Sequence, residues 1–220
     1  MQVLVIHGSL RRDSFTTRLA RAAAAQAQEG LELKLYEGLD EIPGFNEDLE
    51  PDSIPASVED LREQMDAADA LLIVTPEYNA SAPGALKNAI DWASRPHGDS
   101  ALAGKPAAII SASPMPFGAI WANQQIRKAF TITGTPAVET EVAIGKIDEK
   151  LGDDDTLTDV AARDQVSGLL LELEELVGQR GVDVRARVER QQPELRARDP
   201  IRQALVRNEA REQNAIGEAE

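Results

Sequence analysis

The 220-residue chain has no cysteine, which excludes a disulfide framework, a thiolate metal site, a redox dithiol and a cysteine nucleophile. Its only histidines are His7 and His97, too few for a histidine-rich metal centre. Aromatic residues make up 4% of the chain, and none lies beyond Phe130. No apolar run approaches the roughly 20 residues of a membrane span. The start, Met1-Gln2-Val3-Leu4-Val5-Ile6, lacks the charged region and cleavage site of a secretory signal. Basic residues are outnumbered 23 to 38, for a formal net charge of −15. So negative a body is repelled by nucleic acid and anionic membrane alike. A soluble cytoplasmic protein is the expectation.

What is present is an ordinary globular balance, 42% apolar and 28% charged, in a length that suits one domain with a full core. Residues 181–220 are charge-balanced, so the whole negative excess lies in 1–180. The expected division is therefore a domain over 1–178 followed by a charged, partly helical or disordered tail over 179–220. Pro193 and Pro200 are expected to break that tail, leaving one helical candidate from Ile201 to Glu212. Its thin apolar side suits either a solvated tail or an arm packed on a partner subunit.

Within 1–180, short apolar runs alternate with helical stretches. Strands are expected at Val3–Ile6, Leu31–Tyr36, Ala70–Thr75, Pro106–Ser111 and Val138–Ile144. Helices are expected at Ser14–Gln28, Ser57–Ala67, Pro83–Ala93, Ile120–Phe130 and Thr158–Val177, with a long loop through Pro43, Gly44, Phe45 and Pro51. Three of the strands are apolar on both faces. That pattern describes an α/β domain whose five-stranded parallel sheet is covered by helices.

In such sheets ligands bind beyond the carboxyl ends of the strands. Three loops fall there. After the first strand, His7-Gly8-Ser9-Leu10-Arg11-Arg12-Asp13-Ser14-Phe15-Thr16-Thr17 combines hydroxyls, guanidiniums and a helix start, a set suited to phosphate. It has neither the Gly-Lys-Ser/Thr of a Walker loop nor Gly-x-Gly-x-x-Gly. After the third strand, Thr75-Pro76-Glu77-Tyr78-Asn79-Ala80-Ser81-Ala82-Pro83-Gly84 offers an aromatic ring and polar groups suited to a planar heteroaromatic ligand. After the fourth comes Ser111-Ala112-Ser113-Pro114-Met115-Pro116-Phe117-Gly118, rich in small residues. Elsewhere, Gly152-Asp153-Asp154-Asp155 lacks calcium-loop spacing and reads as a solvated turn. Asn88 and Trp92, on one helix face, suit packing or a subunit contact.

Three segments together resemble the NADPH-dependent FMN reductase family: Gly8-Ser9-x-Arg11-x-x-Ser14; Pro76-Glu77-Tyr78-Asn79-x-Ser81-x-Pro83-Gly84-x-Leu86-Lys87-Asn88-Ala89-Ile90-Asp91-Trp92; and Gly104-Lys105-Pro106. The resemblance spans about residues 1–178. It implies a flavodoxin-like three-layer sandwich with a C-terminal extension, bound FMN, and reduction of a flavin, quinone or similar acceptor by NADPH or NADH. It also implies a homodimer or homotetramer with flavin sites near subunit contacts. By motif, Ser9, Arg11, Ser14, Thr16 and Thr17 would hold the FMN phosphate. Pro76, Glu77, Tyr78 and Asn79 would border the ring system and ribityl chain, and Ser111, Phe117 and Gly118 would face its other side. No catalytic acid or base and no metal is implied. The family is glycine-rich where this chain has Met115, Pro116 and Ala119, and Pro116 brings no N–H. Two other readings share the fold: a flavodoxin-type one-electron carrier, whose Thr-rich phosphate loop Gly8-Ser9-Leu10-Arg11 does not match, and a flavin-free, non-catalytic relative.

Overall fold

The computed structural model describes residues 1–50 and 53–198, with side chains through 180. Its main unit is Met1–Val177; from Gly178 the chain belongs to a second unit. Five parallel strands run β1 Gln2–His7, β2 Glu32–Leu35, β3 Ala70–Thr75, β4 Ala107–Ser113 and β5 Val142–Gly145. Their order in the sheet is β2-β1-β3-β4-β5, so the strand order reverses between β1 and β3. The helices are α1 Phe15–Ala25, α2 Ala56–Ala67, α3 Gly84–Ala93, α4 Ile120–Thr133, the single turn α5 Ile147–Lys150, and α6 Val160–Arg198.

Every residue of β3 is buried, because side chains alternate between two covered faces. Val3, Val5, Leu72, Val74 and Ile110 meet Leu19, Ala23, Val166, Leu169 and Leu173 of α1 and α6. Leu4, Ile6, Leu71, Ile73 and Ile109 meet Leu61, Met65, Leu86, Trp92, Ile126 and Phe130 of α2, α3 and α4. The Leu169–Leu176 stripe is thus core along its inner side, while Leu171 is exposed.

Three of the differences from expectation have a specific cause in the structure. β4 runs on to Ser113, since small hydroxyl residues pair in a ladder as readily as they form loops; Ser111 pairs with Thr75 and Ser113 with Gly145. β5 begins at Val142 rather than Val138, with only an isolated bridge from Ala137 to Ala107 before it. Arg127 supplies the reason: its guanidinium donates to the carbonyls of Val138 and Thr140, at 2.6 Å each, occupying acceptors a ladder would use. The last helix starts where Asp159 Oδ1 accepts from the Ala162 N–H at 2.8 Å, an N-cap. It continues past Gly178 and through Pro193 to Arg198, so the expected break at Pro193 is absent. The Ile201–Glu212 candidate, Pro200 and Pro51 lie outside the described residues.

The loop before α2 is fastened to α3. Trp92 Nε1 and Asn88 Nδ2 both donate to the Pro43 carbonyl, at 2.8 and 2.9 Å, and Asn88 Oδ1 accepts from the Phe45 N–H. Asn88 and Trp92 therefore serve packing. Glu50 sits between Arg62 and Arg95, at 3.1 and 2.7 Å, and Arg62 also donates to the Trp92 carbonyl.

Tyr36 is buried beneath this loop. Burial first, then the charges of Asp60 and Glu41, push its phenol up to about 12 from 10.0. Below pH 10 the phenol is neutral in folded and unfolded chains alike, so its contribution is intact. Between 10 and about 12 the unfolded chain loses the proton first, and stability falls. Urea unfolding at pH 9 and 11 should show a drop in midpoint that Tyr36→Phe reduces.

Candidate active site

The sheet register levels the strand ends: His7 stands beside Val74, and Thr75 beside Ser111. The turn after β1 enters at Gly8, whose N–H donates to the Val74 carbonyl at 2.8 Å. A Cβ at Gly8 would lie 3.0 Å from Leu86 Cδ2 and 3.2 Å from Pro76 Cδ, so a side chain here would crowd the β3 loop, which glycine approaches without that contact. Ser9 Oγ then lies 3.3 Å from the Tyr78 hydroxyl and accepts from the Arg11 N–H.

Ser14 caps α1, its Oγ accepting from the Thr17 N–H at 3.0 Å. The same Oγ lies 3.1 Å from Thr16 Oγ1 and 2.7 Å from Thr17 Oγ1. The amides of Phe15 and Thr16, at the first two helical positions, have no intrahelical partner, and the helix start carries partial positive charge. α1 is braced from behind by Asp155, which accepts from Arg18 at 2.6 Å and Arg21 at 3.3 Å. The acidic 152–155 turn is therefore a clamp on α1 rather than a free solvated turn. Among the described residues no cluster of acids and histidines is arranged to hold a metal.

After β3 the chain forms a tight two-residue turn. Tyr78 and Ser81 exchange both backbone bonds, at 3.0 and 3.1 Å, with Asn79 and Ala80 at φ 53° and 57°. Two positive φ values define this turn and explain Asn79, since asparagine tolerates the left-handed region. The turn is pinned to α4: Glu77 Oε2 accepts from the Ala122 N–H at 3.1 Å, and Gln125 Oε1 accepts from Ser81 Oγ and the Ala82 N–H. Glu77 is thus an acid capping the first turn of α4, where negative charge is favoured.

Between these loops lies a groove of about 130 Å³, lined by Ser9, Arg11, Ser14, Phe15, Thr16, Pro76, Glu77, Tyr78, Ala112, Ser113 and Pro114. One end presents hydroxyls, a guanidinium and helix-start amides. The other presents an aromatic ring and two prolines. Residues 1–149 match the model of a family described as NADPH-dependent FMN reductase. The chain belongs to that family. A quinone reductase from Pseudomonas putida is 42% identical over 62% of this chain and 73% of its own length. An NAD(P)H-dependent FMN reductase from Pseudomonas aeruginosa is 39% identical over 79% of this chain and 94% of its own. The solved flavoenzyme FerB of Paracoccus denitrificans, an NAD(P)H:acceptor oxidoreductase, is 35% identical with a TM-score of 0.74, over 81% of this chain and 97% of that one. As a member of the FMN reductase family, the chain is a flavin-dependent oxidoreductase with FMN as cofactor and NAD(P)H as reductant. The flavodoxin-like fold is seen again in a Pseudomonas aeruginosa flavodoxin variant, at a TM-score of 0.52 and 17% identity.

Of the residues singled out from the sequence, the fold brings Ser9, Arg11, Ser14, Thr16, Pro76, Glu77 and Tyr78 to one groove. Five others lie elsewhere. Thr17 Oγ1 faces back to Ser14 Oγ and His7 Nδ1. Asn79 is exposed at the tip of its turn. The Ser111 side chain is fully buried, donating to the Val142 carbonyl and accepting from Asn123 Nδ2, both at 3.4 Å. Because β4 continues two residues further, Ser113 and Pro114 occupy the edge expected of Ser111. Phe117 is 65% exposed and packs on Trp121 at 5.5 Å between centroids, while Gly118 is packed against β5. Phe15, Ala112, Ser113 and Pro114 also line the groove; for Phe15 the signal is its place as the first helical residue after a Ser cap, which exposes its amide.

The fourth-strand loop accommodates Met115 and Pro116, two of its departures from the family pattern. Met115 and Pro116 keep negative φ, while Gly118 and Ala119 take positive values of 60° and 62°. Met115 O accepts from the N–H groups of Gly118 and Lys146, so no loop bond depends on a donor at Pro116. A Cβ on Gly118 would fall 2.5 Å from the Ala143 carbonyl carbon. Gly118→Ala is expected to lower unfolding stability by about 3 kcal/mol, from left-handed strain and overpacking together, measured by denaturant titration.

Proposed function

We propose that the groove holds FMN with its phosphate at the start of α1 and its ring system between the Tyr78 turn and the Ser113–Pro114 edge, and that a quinone or flavin-type acceptor is reduced there at the expense of NAD(P)H in the cytoplasm. The observation that carries this reading is the union, in one groove, of an anion cradle and an apolar wall. The residues suit the cofactor. A phosphate dianion carries only acceptors, and Ser9, Ser14, Thr16, Arg11 and the two free amides of α1 are donors. Arg11 matters especially in a chain of net charge −15, where a local cation offsets the general repulsion of anions.

When bound, FMN supplies the two-electron chemistry between nicotinamide and acceptor; the protein contributes binding, orientation and electrostatics. Ser9 Oγ, in reach of both the Arg11 amide and the Tyr78 hydroxyl, links the phosphate end to the ring end. Glu77, by capping α4, holds the Tyr78 turn in place. Tyr78 is 47% exposed, leaving a face on which nicotinamide and acceptor take turns. Exposed Met115, Phe117 and Trp121 beside the groove form an apolar surface suited to a second copy of this chain, in a homodimer or homotetramer.

Purified protein mixed with FMN and freed of excess should retain yellow colour that bleaches within seconds of anaerobic NADPH addition and returns with a quinone. Arg11→Ala should weaken FMN binding by about tenfold or more, the loss of a charge-assisted bond. Retained colour that NADPH does not bleach would instead mark a carrier needing its own reductase. No retained colour, with no NADPH oxidation when free FMN is supplied, would sink the proposal.

A further inference from the structure

A second recess, of about 360 Å³, lies along the Ser9–Asp13 turn, with Arg11, Arg12 and Arg21 set against Asp13, Glu37 and Asp40. Its charges balance, so it favours no class of ion. His7 lines this recess and holds a more specific clue. His7 Nδ1 lies 3.3 Å from the Ser9 carbonyl oxygen and 3.3 Å from Thr17 Oγ1. Its Nε2 is buried with no partner among the described residues.

One tautomer of His7 gives these contacts a consistent direction as a chain of protons. A carbonyl oxygen only accepts, so the Ser9 contact is a hydrogen bond in the neutral tautomer that carries its proton on Nδ1. Nε2 is then a bare lone pair rather than a stranded N–H. The Nδ1 proton is shared between Ser9 O and Thr17 Oγ1, so Thr17 Oγ1 accepts and must send its own proton elsewhere. Its near neighbour is Ser14 Oγ, at 2.7 Å. Ser14 Oγ also accepts from the Thr17 N–H. With both lone pairs of Ser14 engaged, its own proton is left to point outward, to Thr16 Oγ1 at 3.1 Å or to a ligand in the groove.

We infer that His7 is a positioning residue that acts through Thr17 to make Ser14 an obligate hydrogen-bond donor toward the phosphate end of the groove. A ligand group with acceptors alone matches a cradle polarised in this sense. Without the imidazole N–H, the Thr17 hydroxyl is free to turn, accept the Ser14 proton, and present a lone pair to the phosphate. The inference rests on the reading of this groove as the FMN site.

The test compares binding of FMN with binding of riboflavin, which has the same ring but no phosphate, by quenching of flavin fluorescence. Wild-type protein should prefer FMN. His7→Leu and Thr17→Val should each reduce that preference about tenfold, the scale of one hydrogen bond to a charged group, with riboflavin affinity unchanged. His7→Asn places an amide N–H near the position of Nδ1 and Thr17→Ser keeps the hydroxyl, so both should retain the preference. The inference is overturned if His7→Leu leaves the preference intact, or if FMN and riboflavin affinity fall together, as a merely structural role would produce. Should His7→Leu not fold, Thr17→Val against Thr17→Ser decides in the same way. A wild-type protein that binds both flavins equally overturns the relay while leaving the flavin site standing; one that binds neither removes the site itself.

Discussion

The close approach of the turn after β1 to the loop after β3 is the constraint on which the groove depends. At Gly8 the backbone passes within a side chain's width of Pro76 and Leu86 and bonds to the Val74 carbonyl. The two loops belong to neighbouring strands at the point where the sheet order reverses, so nothing else crosses between them. With no Cβ at Gly8 the two loops lie close, and Ser9 reaches Tyr78. The anion cradle and the aromatic wall are thereby one site rather than two, and the hydrogen bond between them at 3.3 Å marks the seam.

The fold was legible because its inner strands are buried on both faces. Runs such as Ala70–Thr75 leave no solvated side, and their limits coincide with the strand itself. Ser14 was legible as a cap for a similar reason: its chemistry is local, satisfied by an amide three residues away. The end of β4 was not legible, because Ser111-Ala112-Ser113 carries no local signal that separates ladder from loop. What decides it is pairing with Thr75 and Gly145, both distant in sequence. The two further residues of β4 carry Ser111 into the core. The start of β5 was hidden by Arg127, a long-range partner that claims the carbonyls of Val138 and Thr140.

Side-chain roles at the site divide along the same line. Residues whose side-chain contacts lie in their own turn, Ser14 and Thr16, stand in the groove where their spacing puts them. Glu77 could not be read as the cap of α4, because its partner amide at Ala122 is 45 residues away. Thr17, next to Thr16 and chemically alike, turns inward because His7 waits behind it. The wall opposite Tyr78 is set by proline and small residues in a loop locked to β5 at Gly118, a packing relation that no motif encodes.

The clamp of Asp155 on Arg18 and Arg21 bears on the thermodynamics of ligand exchange. It ties the outer flank of α1 to a turn 134 to 137 residues along the chain, while Ser14 secures the helix start from within. A helix fixed at both places has little freedom left to surrender when an anion settles on its first amides. The ordering entropy that usually opposes association is largely met during folding. On the phosphate placement proposed above, binding would then require no re-forming of the first helix.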